Sequence, residues 1–108
     1  MGYVNYTGGR FVLGGGAPAT IKMGPFIDIS GDIVTGLTIN QADVKLSKND
    51  GVIDPKNDTS AASDLSNGWY DVTLNGTDTN TQGNLLVMIE VAGALPVWRM
   101  LEVKDSPQ

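Results

Sequence analysis

Hydrophobic and polar positions alternate most clearly over residues 69–74. One set of alternate side chains is Tyr70, Val72 and Leu74, and the other is Trp69, Asp71 and Thr73. Successive side chains of a strand point to opposite faces, so a period of two predicts a strand here. Asn67 and Gly68 directly precede it, and both residue types tolerate the positive φ of a tight turn. The pattern therefore predicts a turn followed by a half-buried strand.

The next hydrophobic segment, residues 85–91, is almost entirely apolar. A short continuous run of this kind predicts a strand covered on both faces, or one at the centre of a sandwich. A buried helix is the alternative, but Gly83 and Gly93 bracket the run too closely for an ordinary helix. Residues 78–81 are rich in side chains that bond to their own backbone, which favours a loop that crosses from one sheet to another.

Further strands are predicted on both sides of this central pair. Residues 44–48 alternate with Val44 and Leu46 inward, and residues 97–103 alternate with Trp98 on the face opposite Leu101. Shorter candidate strands are residues 25–29, 33–34 and 37–39, with Gly31 and Asp32 as the turn between the first two. A very short one is predicted near residues 60–62, within a polar surface connection over residues 54–67. About seven strands with turns between them predict an all-β protein, an antiparallel β-sandwich with immunoglobulin-like topology. A jelly roll or a small barrel is the alternative architecture.

Residues 1–24 are rich in glycine, which predicts an N-terminal arm. The sandwich domain is predicted over residues 25–104, and a polar tail over residues 105–108. The alternative is that part of the arm is a first edge strand. We expect the arm to be disordered in the free protein and to order on binding. Aromatic residues and arginine anchor many protein interfaces. Candidate interface residues are therefore Tyr3, Tyr6, Arg10, Phe11 and, in the last strand, Trp98.

Composition and charge argue against several classes of function. The chain has 108 residues, enough for one domain, with no cysteine and no histidine. It therefore lacks the thiol nucleophile, the usual general base and the commonest transition-metal ligands. The net charge of −5 argues against nucleic-acid binding, which needs a basic surface, and against docking to an anionic membrane.

The acidic residues give no catalytic or metal site. Asp50, Asp54 and Asp58 share one loop, but their spacing does not match a calcium-binding loop, so a solvated polar loop is the better interpretation. Asp71 and Glu90 have no predicted partner carboxylate across a cleft, as acid–base catalysis would require. We therefore predict no enzyme activity, no catalytic residue, no metal and no cofactor. Trp69 and Trp98 could form a sugar-binding platform, although a core or interface role is commoner for a sandwich tryptophan.

Several segments, in this order along the chain, resemble a small β-sandwich module that recurs in virion proteins of tailed bacteriophages. They are residues 35–39 (TGLTI), 43–51 (DVKLSKNDG), 68–74 (GWYDVTL), 77–79 (TDT), Gly83 and 92–96 (AGALP). The resemblance covers roughly residues 26–104 and leaves the Gly-rich residues outside it. Such modules are immunoglobulin-like domains of capsid decoration proteins, tail fibres and baseplates, and no catalytic residues come with them.

The resemblance implies a non-enzymatic virion structural protein. The leading hypothesis is a decoration or cement protein on the capsid surface, assembled in the host cytoplasm, that binds the major capsid protein and stabilises the outer lattice, with a trimer as a possible homo-oligomer. One alternative is a structural component of a tail fibre or baseplate. Another, from a different class, is a carbohydrate-binding β-sandwich module.

Overall fold

The computed structural model describes the backbone of residues 11–104 and the side chains from residue 13 onward. This part of the chain is all-β, with two sheets in a sandwich-like arrangement, and it contains no α-helix. The strands are β1 (Phe11–Gly14), β2 (Ala19–Met23), β3 (Val44–Lys48), β4 (Ile53–Pro55), β5 (Ser63–Asp64), β6 (Tyr70–Leu74), β7 (Gly83–Ile89) and β8 (Val97–Lys104). A 3-10 turn, Gln41–Asp43, directly precedes β3.

One sheet has five strands in the order β1-β8-β7-β3-β4, and the other has three in the order β2-β6-β5. All pairings are antiparallel except that of β1 with β8, which is parallel. The larger sheet is therefore mixed, which corrects the purely antiparallel sandwich predicted from the sequence. The described residues form eight strands, where about seven were predicted.

The predicted alternation of β6 is confirmed, because Tyr70, Val72 and Leu74 are fully buried. β7 lies at the centre of the larger sheet, but it also alternates, with Leu85, Val87 and Ile89 buried and the residues between them only half-buried. The loop from β6 to β7 crosses from the smaller sheet to the larger one, as predicted. Phe26 joins the core by packing edge-on against Tyr70, with ring centroids 5.2 Å apart.

The predicted arm, residues 1–24, contributes β1 and β2, and both are edge strands. Leu13, Ile21 and Met23 are buried in the core between the sheets. The described part of this stretch therefore agrees with the alternative prediction, that part of the arm is an edge strand. The expectation of a disordered arm does not hold for residues 11–14 and 19–23. Residues 1–10 of the arm and the tail residues 105–108 lie outside the described residues.

The three short strands predicted over residues 25–39 are wrong. Residues 24–40 are a long connection whose only strand-like contact is an isolated bridge between Ile27 and Ile33. The Asp28 carboxylate accepts the backbone N–H groups of Ser30 and Asp32, which closes a tight turn where a strand would have continued. The short strand predicted near residues 60–62 lies slightly later, as β5.

Candidate interaction surface

Three connections meet at one end of the sandwich. They join β2 to β3, β5 to β6, and β7 to β8. Phe26 N–H donates to Gly68 O at 2.8 Å, and Leu95 N–H donates to Ile27 O at 2.8 Å. A methyl group added at Gly24 would lie 2.7 Å from Gly68 O, so the first two connections are in close contact. The three loops therefore form one continuous surface.

This surface carries most of the exposed large hydrophobic side chains of the described residues. Eight such side chains are exposed, and six of them lie here: Ile29, Ile33, Leu65, Trp69, Leu95 and Trp98. We call this set the apolar end. The other two, Val52 and Ile53, lie near the β3–β4 turn at the opposite end. Exposed apolar residues that are scattered singly need no explanation, but a cluster of this kind marks an interaction site.

The two most exposed members lie on different elements. Ile29 is 91% exposed at the tip of the Asp28–Asp32 turn, and Trp98 is 65% exposed near the start of β8. The turn is held by backbone bonds as well as by the Asp28 carboxylate, since Asp28 N–H donates to Asp32 O at 2.9 Å. Ile29 is thus presented to solvent by a hydrogen-bonded turn, which costs less ordering entropy on binding than a loose loop would.

A groove of about 560 Å³ runs beside the apolar end, between the outer edge of β2 and the start of β8. We call it the β2–β8 groove. It is lined by Thr20, Ile21, Lys22, Met23, Gly24, Trp69, Val97, Trp98 and Arg99. Trp69 and Trp98, which the sequence singled out as a possible platform, therefore border the same groove.

Two of the polar side chains that line the groove are cationic, Lys22 and Arg99. The Arg99 guanidinium crosses it and donates from Nη1 to Lys22 O at 2.9 Å. Lys22 itself is turned towards Asp71, with Nζ 3.0 Å from Oδ1. The Lys22 side chain is 65% exposed, so this ion pair is a surface pair that contributes little to stability. The groove is thus an apolar cleft bridged at one point by an arginine.

The candidate interface residues from the sequence are only partly described. Trp98 lies at the apolar end, and Phe11 opens β1 at the edge of the larger sheet. Tyr3, Tyr6 and Arg10 lie outside the described residues. The sequence interpretation missed Ile29 and Ile33 because both were assigned to short strands, and it missed Leu95 because that residue was assigned to the turn over residues 93–96. The available signal was an isoleucine directly before the turn residues Ser30, Gly31 and Asp32, where a polar residue is usual.

The described residues hold no group of three or more acidic, histidine or cysteine side chains that could bind a metal. Over the same residues, no helix is long and apolar enough to cross a membrane. A scan of protein-family models and searches of curated proteins and of solved structures found no match to this chain.

Proposed function

We propose that this chain is a non-enzymatic structural protein of a phage virion, and specifically a decoration protein that binds the outer capsid lattice. The phage assignment rests on the resemblance of residues 26–104 to virion β-sandwich modules. The absence of histidine and cysteine from the chain supports a binding role, because it removes the groups on which most catalytic sites depend.

The observation that carries the binding role is the apolar end, where five exposed large hydrophobic side chains on three loops gather with Trp98 at the start of β8. Apolar and aromatic residues at the centre of an interface are released from water on association and supply most of the binding energy. A specific contact needs about 800 Å² per partner, an area that one end of a small sandwich can supply.

We further propose that the topology is immunoglobulin-like. The order β8-β7-β3-β4 matches the G-F-C-C′ order of an immunoglobulin sheet, and β2-β6-β5 matches B-E-D. In this correspondence the β2–β3 and β7–β8 connections occupy the positions of the loops with which immunoglobulin variable domains bind their ligands. The correspondence supports placing the partner contact at the apolar end.

The partner in this proposal is the major capsid protein. A decoration protein occurs at every equivalent position of the lattice, so a modest contact at each copy stabilises the shell through its repetition. A trimer around a three-fold lattice position would add contacts between copies. The mechanism is burial of apolar surface and needs no chemical step.

The experiment that tests the proposal is the copy number of this protein relative to the major capsid protein in purified particles, measured by quantitative mass spectrometry. We expect a ratio near one to one, or a simple lattice fraction. A few copies per particle would favour the alternative, a tail fibre or baseplate component. Absence from particles would overturn the virion assignment.

A second candidate, carbohydrate binding, is favoured by one observation: Trp69 and Trp98 border the same groove as Lys22 and Arg99. Sugars stack on exposed aromatic rings and bond to polar groups at the rim of a pocket. Titration with a panel of oligosaccharides should change tryptophan fluorescence if the groove binds sugar. A Trp98→Leu variant should abolish that change, while the Val52→Leu variant at the opposite end should keep it.

A further inference from the structure

Carboxylates border the apolar end, and the loops that form it carry no cation. Residues 24–43, 65–69 and 90–96, which make up the three connections, contain no lysine or arginine. Asp28 and Asp32 lie on either side of Ile29 in its turn, and Asp64 directly precedes Leu65. We call Asp28, Asp32 and Asp64 the acidic rim. The apolar end is therefore an apolar patch with negative charge at its border.

Hydrogen bonds hold two of these carboxylates in place. Asp28 Oδ1 accepts the backbone N–H of Asp32 at 3.0 Å. Asp64 Oδ2 accepts Gly36 N–H at 3.2 Å, and its Oδ1 accepts Ser66 N–H at 2.6 Å, so this carboxylate joins the β2–β3 and β5–β6 connections. A charge that is already ordered in the free protein loses little entropy when a partner binds.

Three cations lie on the strands next to this end, and two of them face carboxylates outside the acidic rim. Lys22 Nζ is 3.0 Å from Asp71 Oδ1, and Lys45 Nζ is 3.9 Å from Glu90 Oε1. The third cation, Arg99, donates to Lys22 O in the β2–β8 groove. The ion pairs among the described residues therefore include no carboxylate of the acidic rim.

We propose that the apolar end takes a protein surface whose centre is apolar and whose border carries lysine and arginine side chains. The centre would bury the six exposed hydrophobic residues, and the border would place cations opposite the acidic rim. Opposite potentials of this kind speed association and select the partner more than they add affinity. That the partner is the major capsid protein rests on the proposed function, whereas the charge of the partner follows from the acidic rim.

The acidic rim argues against a second copy of this chain at the apolar end. A two-fold contact sets the same patch of each copy against itself, so the three carboxylates of one copy would face those of the other. Like charges that meet across an interface disfavour association. The phosphates of a nucleic acid or of an anionic lipid meet the same repulsion. Any contact between copies, such as one within a trimer, would therefore use another part of the molecule.

Two short peptides test the charge of the partner without any assumption about a capsid. Both have a Leu-Trp-Leu centre, and one is flanked by lysines and the other by glutamates. In an NMR titration at about 0.05 M salt, we expect the lysine peptide to bind at least about fivefold tighter, with the largest shifts at Ile29, Leu95 and Trp98. At about 0.5 M salt the difference should shrink to less than about twofold, because the Debye length falls to about 4 Å.

Three outcomes of this titration would overturn the proposal. The first is equal binding of the two peptides at low salt, and the second is larger shifts at Val52 and Ile53, at the opposite end. The third is a shift of Ile29 and Trp98 when the protein concentration is raised without peptide, which would assign the apolar end to a second copy.

A matched pair of variants locates the charge that attracts the peptide. Asp32→Asn and Asp50→Asn each remove one exposed carboxylate, so the two variants have the same net charge, but Asp50 lies in the β3–β4 turn at the opposite end. We expect Asp32→Asn to weaken binding of the lysine peptide at least about twofold, and Asp50→Asn to leave it unchanged. Equal effects would mean that the overall charge of the protein attracts the peptide, which would overturn the proposal.

The same variants separate this inference from the proposed function. For capsids that lack the protein, we expect the association rate to fall at least about fivefold between about 0.05 and 0.5 M salt, and Asp32→Asn but not Asp50→Asn to slow it. A rate that does not change with salt would overturn the basic border of the partner and leave capsid binding intact. No binding at any salt concentration would overturn the capsid proposal, and the peptide titration would still decide the charge of the partner.

Discussion

The ammonium group of Lys56 is buried and donates to Asp58 Oδ1 at 3.0 Å. Its other two protons go to backbone carbonyls, Asp58 O at 2.9 Å and Ser60 O at 2.8 Å. All three donors of the lysine are therefore satisfied inside the protein, which is the condition under which a buried charge is tolerated. The loop over residues 56–60 is folded around this side chain, although its sequence is almost entirely polar.

Replacing this lysine should destabilise the protein strongly. Lys56→Met keeps the length of the side chain but leaves two backbone carbonyls without their donor and removes one of the three donors to the Asp58 carboxylate. We expect the free energy of unfolding to fall by about 2–4 kcal/mol. The matched control is Lys22→Met, which breaks an ion pair of the same 3.0 Å length at an exposed site and should cost less than about 1 kcal/mol. Urea denaturation of both variants measures the difference, and equal losses would contradict this account.

From the contacts of Asp58 in the same loop, we expect the stability of the protein to depend on pH. The Ser60 hydroxyl and backbone N–H both donate to Asp58, and with Lys56 they lower the pKa of Asp58 from its ordinary 3.8 to about 2. A carboxyl group with a lowered pKa stabilises the folded state above its ordinary value, and this contribution is lost as the pH falls from about 4 to about 2. In Asp58→Asn, the free energy of unfolding should therefore vary less steeply over this range. Identical slopes for the two proteins would show that Asp58 contributes nothing.

The buried carboxylate of Asp78 joins two loops. Asp78 accepts backbone N–H groups from Asn57 at 2.6 Å, Asp58 at 3.1 Å and Asn75 at 3.1 Å. Asp78→Ala leaves these donors without a partner, so we expect a loss of about 2–4 kcal/mol in the free energy of unfolding. Asp54→Ala, at an exposed position of β4, should change stability by less than about 0.5 kcal/mol. A loss in Asp78→Ala as small as that of the control would mean that water replaces the carboxylate.

The long strands follow from the sequence because their pattern is local. In β6 and β8 every second residue faces the core, and a period of two shows this directly. β1 and β2 are harder to predict, since glycines surround them and only pairing with distant strands holds them in place. The burial of Lys56 has no local signal at all. It depends on acceptors that the folded loop supplies, and a lysine in a polar segment normally predicts an exposed side chain.

The apolar end also has no local signal in the sequence. Ile29, Leu65 and Leu95 are far apart in the sequence, and each one alone is an ordinary exposed hydrophobic residue. Only the packing of three loops brings them onto one surface. Trp98 could be selected from the sequence as an interface residue, because aromatic residues anchor many protein interfaces. The other residues of the apolar end could not be selected from the sequence in this way.

The last prediction concerns partner binding through the apolar end. Ile29→Asp places a charge at its most exposed position, 91% accessible, where the change should affect binding and leave the fold intact. Val52→Asp is the matched control, because Val52 is 80% exposed at the opposite end of the sandwich. The measurement is the binding of purified protein to capsids that lack it. We expect Ile29→Asp to weaken this binding at least tenfold, which is about 1.4 kcal/mol or more. Val52→Asp should bind as the unmodified protein does. Both variants should unfold at the same urea concentration as the unmodified protein, so that a loss of binding cannot be a loss of folding. If Val52→Asp lost binding and Ile29→Asp kept it, the contact surface would lie at the β3–β4 turn.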